Sequence, residues 1–220
     1  MRYERKFVLE VVSLPEALAV VRRNPMAFRE EFPPRTVNNL YFDTPGFSHY
    51  RNHVAGIGER VKVRLRWYGE LAPVVRPVLE LKRRHGSMGS KQLFPVGGLE
   101  GSGGPDPADI GSRLRHQPGL ERVRAELDDV VPVLVNRYRR RYFRSADGRL
   151  RLTLDTDLEF FACSRAGQAF LARRTASRAT VLELKYPEAS VAEATRAVNE
   201  FPVRMARMSK YVLGVDLLGV

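Results

Sequence analysis

Cysteine is nearly absent from this 220-residue chain: the single Cys163 excludes an intrachain disulfide framework and a cysteine-rich zinc site. Lysine is scarce, at six, so arginine supplies 31 of the 37 basic residues. Acidic residues number 25, which leaves a formal net charge of +12. No apolar run reaches the 18 or so residues that a spanning helix needs, and the longest near the middle is Val130–Val135. The start, Met1 to Lys6, lacks the apolar stretch of a secretory signal. With 44% hydrophobic residues the composition is too apolar for a disordered chain. These absences lead to the expectation of a soluble, cytoplasmic, basic protein with one domain over residues 1–220.

Arg2–Val12 reads as a strand, followed by a helix that Ser13 caps and that stops before Pro25. A short second helical piece runs to Phe32, and Pro33-Pro34 reads as a turn. Strands are expected at Arg35–Thr44, Ser48–Asn52, Arg60–Tyr68, Val75–Arg83 and Lys91–Val96. Gly97–Pro107 reads as a loop, and Asp109–Leu127 as helical with a break near Pro118-Gly119. Val131–Arg144 and Arg149–Phe161 form a hairpin whose turn contains Asp147-Gly148. A short strand at Phe170–Ala172, a clear one at Thr180–Tyr186, and helices over Ser190–Phe201 and Met205–Leu213 complete the reading. Many strands without regular helical crossovers predict an antiparallel α+β fold.

The strands carry an ionic face. Side chains two apart share a side of a strand, so Arg60, Lys62, Arg64 and Arg66 lie opposite Val61, Val63, Leu65 and Trp67. The same alternation groups Glu80 with Lys82, Arg151 with Thr153 and Asp155, Glu183 with Lys185, and Arg2 with Glu4 and Lys6. A single strand of this kind is the solvated face of a half-buried sheet. Five strands alike are better explained by an antiparallel β-barrel tunnel of about eight strands, ionic inside, with helices packed outside. Such an interior needs water, countercharge and preferably an anion. Glu-x-Lys recurs at Glu4/Lys6, Glu80/Lys82 and Glu183/Lys185, and can offer a carboxylate to a metal beside an ammonium for phosphate.

Other patterns carry less. Gly86 to Lys91 lacks the spacing of a phosphate loop and reads as a mobile hairpin loop. His49, His53, His85 and His116 show no zinc-helix spacing, His49 and His53 straddling an apparent strand end, and Cys163 reads as an inert core thiol. A basic nucleic-acid surface around Tyr138 to Phe143 is disfavoured, because alternation puts Tyr138, Arg140 and Tyr142 on one side of a strand.

The ordered set Tyr3-Glu-Arg-Lys-Phe7, Tyr41-Phe-Asp-Thr44, Arg64-Leu-Arg-Trp-Tyr-Gly69, Leu79-Glu-Leu-Lys82, Arg151-Leu-Thr-Leu-Asp-Thr156, Leu182-Glu-Leu-Lys185 and Ser209-Lys-Tyr211 resembles the VTC domain. This is the catalytic domain of vacuolar transporter chaperone-type polyphosphate polymerases, within the triphosphate tunnel metalloenzyme (CYTH-like) superfamily. The resemblance spans residues 2–214 or so. It implies phosphate contacts from Lys6, Arg64, Arg66, Lys82, Arg140, Arg151 and Lys210, and Mn²⁺ or Mg²⁺ at Glu183. Arg139 and Arg141 leave a shifted alignment open around Arg140, and Lys185, Glu80 and Asp155 join the wall on pattern alone. The first strand reads Arg2-x-Glu4-x-Lys6, whereas the hydrolytic branch has Glu-x-Glu-x-Lys. The implied activity is transfer of the terminal phosphoryl group of ATP onto polyphosphate. Hydrolysis of tripolyphosphate or a nucleoside triphosphate, and noncatalytic polyphosphate binding, stay open beside it. Arg64, Arg66, Lys82, Arg151 and Lys210 are the expected catalytic set. A separate membrane-protein partner is compatible with the family's usual membrane coupling, and the sequence leaves the oligomeric state open.

Overall fold

The computed structural model describes residues 2–10, 12–86, 88–99, 107–163 and 173–219. The expected strand Phe170–Ala172, residue 11, residue 87 and residues 100–106 of the expected loop lie outside them. Among the described residues nine strands and six α-helices form, and every registered strand pairing is antiparallel, which makes the expected α+β fold. In chain order the strands are β1 (Arg2–Leu9), β2 (Arg29–Asp43), β3 (Arg60–Tyr68), β4 (Val78–His85), β5 (Met88–Pro95), β6 (Val131–Arg144), β7 (Arg151–Ala162), β8 (Arg173–Ser177) and β9 (Thr180–Pro187). The helices are α1 (Leu14–Arg23), α2 (Ser48–Val54), α3 (Pro107–Arg115), α4 (Arg124–Asp128), α5 (Val191–Asn199) and α6 (Lys210–Leu218). Among the described residues no helix is long and apolar enough to cross a membrane. The residues group into two compact units.

The first unit comprises Met1–Thr36, Tyr138–Leu158 and Ala176–Met208. Its strand order is β1-β9-β7-β6. β1 pairs β9 from Arg2 opposite Pro187 to Leu9 opposite Thr180, and β9 pairs β7 from Arg151 opposite Lys185 to Asp155 opposite Val181. Alternation sends Phe7, Leu152, Leu154, Leu182 and Leu184 to one face, where they pack with Ala17 and Val21 of α1 and Ala194 and Ala197 of α5. α1 starts as expected: the Ser13 side chain accepts the Glu16 backbone N–H while the Glu16 carboxylate accepts that of Ser13. The hairpin turn between β6 and β7 closes with Ser145 N–H donating to Leu150 O, and Gly148 takes the positive φ it requires.

The second unit comprises Val37–Arg137, Glu159–Thr175 and Ser209–Val220. Its strand order is β6-β2-β3-β4-β5, with β8 beside β7. Leu40, Phe42, Val63, Leu65, Trp67, Leu79 and Leu81 form its core with Ile110 and Leu114 of α3 and Leu127 of α4. The ionic residues of β3 and β4 therefore occupy the opposite face.

Three expectations change. Residues 29–34 belong to β2 rather than to a helical piece and turn. The β2–β3 register runs from Val37 to Phe42, so Pro33 and Pro34 take no part in that ladder. Ser48–Asn52 is helical, because the Asp43 and Thr44 side chains cap the first N–H groups of α2, and His49 and His53 both lie on that helix. The last helix starts at Lys210; Met205 instead forms an isolated bridge with Phe7.

Candidate anion-binding site

In the second unit the register of β3 and β4 sets Arg64 opposite Glu80. Arg64 Nε and Nη2 approach Glu80 Oε2 at 2.8 and 2.5 Å, Arg66 Nη1 lies 3.3 Å from Oε1, and Lys91 Nζ lies 3.2 Å from Oε2. Three cations thus surround one buried carboxylate. Burial pushes the Glu80 carboxyl up, but Arg64 and Arg66, with Lys91, outweigh it and hold it at about 2. Burial and the two arginines lower Lys91, against the pull of Glu80. Arg66 Nε also donates to Asn39 Oδ1 at 2.9 Å, and Asn39 Nδ2 to Asn136 Oδ1 at 2.8 Å. The buried Asn136 Nδ2 has no acceptor among the described residues.

The neighbouring rows are cationic as well. Lys62, Lys82 and Lys91 stand in one register row across β3, β4 and β5, and Arg60 faces Arg84. Like charges directly opposite are destabilising, so an anion laid on this surface would relieve that repulsion. Lys62 Nζ donates to Ser209 Oγ at 2.9 Å, immediately before Lys210, the first residue of α6.

In the first unit Lys6 stands opposite Glu183, Glu4 opposite Lys185, and Arg151 opposite Lys185. Lys6 Nζ lies 2.9 Å from Glu4 Oε1 and 4.0 Å from Glu183 Oε2, while Lys185 Nζ lies 2.5 Å from Glu183 Oε1 and 3.9 Å from Glu4 Oε2. Burial works to raise Glu183, yet Lys185, Lys6 and Arg140 drive its carboxyl well below the usual carboxylate range. Arg140 forks onto Asp155 at 2.6 and 2.7 Å. Burial opposes its charge, but Asp155 outweighs that and raises the guanidinium further. Thr153 Oγ1, opposite Glu183 in register, is buried without a hydrogen-bond partner among the described residues.

The expected site residues therefore fall into two groups: Arg64, Arg66, Lys82 and Lys210 in the second unit, Lys6, Arg140, Arg151, Glu183 and Lys185 in the first. Lys82 and Arg151 are exposed. Lys91 was expected to open a strand after a hairpin loop; β5 begins earlier, at Met88, and seats Lys91 on Glu80. Its register with Lys82 across a short turn was the available signal. Lys62 was legible by parity, whereas Asn39, Asn136, Asp43 and Tyr211 are placed by tertiary pairing that spacing does not reveal.

Among the described residues no three of His, Cys, Asp and Glu converge as a metal cage. A hard divalent cation bound to one or two carboxylates takes its other oxygens from phosphate and water. Glu183, with Glu4 joined to it through Lys6 and Lys185, fits that requirement.

A family model described as the VTC domain matches residues 1–219. No match was found among curated proteins. The solved structures that share the fold include three at 15–20% identity. A candidate adenylyl cyclase from Hippeastrum, reported with a dominant triphosphatase activity, has 20% identity and a TM-score of 0.55, covering 100% of this chain and 96% of its own. A candidate adenylate cyclase from Vibrio parahaemolyticus has 15% identity and a TM-score of 0.52, covering 96% and 97%. A protein from Pyrococcus horikoshii OT3 has 15% identity and a TM-score of 0.51, covering 99% and 100%.

Proposed function

The chain belongs to the VTC domain family, and from that premise we propose that it is an ATP-dependent polyphosphate polymerase. The observation that carries this reading is the Arg64, Arg66 and Lys91 cluster on Glu80, a cation surplus arranged on a rigid sheet. Phosphoryl transfer asks chiefly for positioning and charge neutralisation. Arginines supply forks for nonbridging oxygens and lysines supply point charges. Arg64, Arg66, Lys82, Lys91 and Lys210 serve as phosphate ligands in the second unit. In the first, Lys6, Arg140, Arg151 and Lys185 have the same role. A Mn²⁺ or Mg²⁺ ion at Glu183, with Glu4 beside it, would supply further neutralisation of phosphate oxygens.

Synthesis over hydrolysis is the reading we take from the first strand, Arg2-x-Glu4-x-Lys6, which lacks one carboxylate of the hydrolytic branch's Glu-x-Glu-x-Lys. Glu80 and Glu183 are held ionised by cations and are poor proton acceptors. A water nucleophile gives up a proton during attack, whereas the terminal phosphate of a polyphosphate chain is already anionic. The second reading is a triphosphatase, favoured by the reported activity of the Hippeastrum protein. The test is tripolyphosphate binding together with turnover. Arg64→Ala combined with Arg66→Ala removes two charge-assisted ligands and should weaken binding at least about a hundredfold. Glu183→Ala should keep much of the binding and lose metal-dependent turnover. Unchanged binding in the arginine variant overturns the ligand assignment, and normal turnover in Glu183→Ala overturns the metal assignment.

A further inference from the structure

Two motifs that carry the family resemblance, Tyr41-Phe-Asp-Thr44 and Ser209-Lys-Tyr211, have contributed a single residue, Lys210, to the function proposed above. In the second unit they meet. The Asp43 carboxylate is fully buried at the end of β2. It accepts the backbone N–H groups of Thr44, His49 and Tyr50 at 2.7, 2.9 and 2.9 Å, and the Tyr211 hydroxyl donates to it as well. Four donors fill most of a carboxylate's acceptor capacity, which is how it is tolerated there. Burial and the bond to Asp43 raise the Tyr211 hydroxyl above its ordinary range, so it remains a donor at any working pH.

Tyr211 is also the hub of the cations around it. Its ring stacks on Tyr41 with centroids 5.1 Å apart, and Lys62 Nζ lies 5.9 Å above it. The Tyr41 hydroxyl accepts from Arg64 Nη1 at 3.4 Å, and Lys62 donates to Ser209 at the start of the same helix. A separate contact holds α6 further along, where Tyr50 donates to Asp216 at 2.5 Å. Lys210, which carries the phosphate-binding role, is therefore bonded in sequence to the two residues, Ser209 and Tyr211, that tie the helix start to β2 and β3.

We propose that Tyr211, anchored on Asp43, is a positioning residue that fixes Lys210 for phosphate. The inference rests on the reading that Lys210 is a phosphate ligand. Losing the anchor lets the first turn of α6 sample other orientations, and the loss is felt as affinity for the anion through Lys210. Because the effect is relayed, it should vanish once Lys210 is gone, whereas a general structural defect would persist.

The test is a double-mutant cycle read by tripolyphosphate binding. Tyr211→Phe keeps the ring on Tyr41 and under Lys62 and deletes the hydroxyl alone. Its affinity should fall about tenfold. Lys210→Ala should lose at least as much, and adding Tyr211→Phe to Lys210→Ala should cost less than a further twofold. Tyr50→Phe, which cuts the other tie of α6, serves as the control: it should lower the melting temperature while leaving affinity within twofold. Should Tyr211→Phe melt early, the same cycle run well below its transition still decides the matter. Wild-type affinity in Tyr211→Phe, or independent losses in the cycle, overturns the positioning role. Wild-type affinity in Lys210→Ala instead overturns the ligand reading on which it rests.

Discussion

Glu80 shows how a single side chain can serve both folding and binding. Its carboxylate neutralises one charge of a group of three, so it stabilises the empty site while competing with any incoming anion for Arg64, Arg66 and Lys91. Glu80→Gln should cost about 3 kcal/mol, because it leaves those cations partly buried without their counterion. The pH dependence has a definite sign. The carboxyl is held at about 2 against an ordinary 4.5, so its stabilisation is full above 4.5 and is lost as pH falls through 2. Denaturant unfolding of both proteins should show a stability gap at pH 6 that closes near pH 2. A gap of constant size across that range would show that Glu80 acts through shape rather than charge. Residues such as Arg64 and Arg66 were legible because strand parity is short-range, and a charged face repeated over several strands is visible in one sequence. The pairings that place Asn39 against Asn136 and Asp43 against Tyr211 were not legible, since those partners lie 97 and 168 positions away.

At the scale of elements, α6 is the piece on which most depends and of which least was readable. Its apolar periodicity predicted a helix, but several residues too early, because Met205 is drawn into pairing with Phe7. Gly214 explains its closeness to the sheet. A Cβ there would come within 2.5 Å of Phe160 Cδ1 and 2.7 Å of Leu134 Cδ2, two buried side chains with little freedom to move. Gly214→Ala gains about 1 kcal/mol in helix propensity but should lose about 1–3 kcal/mol to overpacking. The expected result is a lower melting temperature with weaker tripolyphosphate binding, since any displacement of α6 carries Lys210. A melting temperature above that of the parent would contradict this packing account. β3 matched its expected bounds because its apolar–ionic alternation is unbroken, and β6 because the Asp147-Gly148 turn marks its end, whereas α2 was misread as a strand because its cap comes from Asp43, outside the segment itself.

For the whole molecule, the charge of +12 admitted several polyanionic partners or mere arginine enrichment. Part of it is organised: the first unit sets Lys6, Lys185 and Arg140 among Glu4, Glu183 and Asp155, with Arg151 opposite Lys185, and the second sets Arg64, Arg66 and Lys91 on Glu80, with Lys62 and Lys82 in the next register row. The second group therefore holds the larger surplus, and on the proposed reading a chain of phosphates would meet the least competition there. The direct test of the central claim is to incubate the purified protein with ATP and Mn²⁺ and resolve the products by size. The account predicts ADP together with phosphate chains that lengthen with time, both lost in Arg64→Ala with Arg66→Ala. Release of inorganic phosphate without chains, or no consumption of ATP, would contradict it.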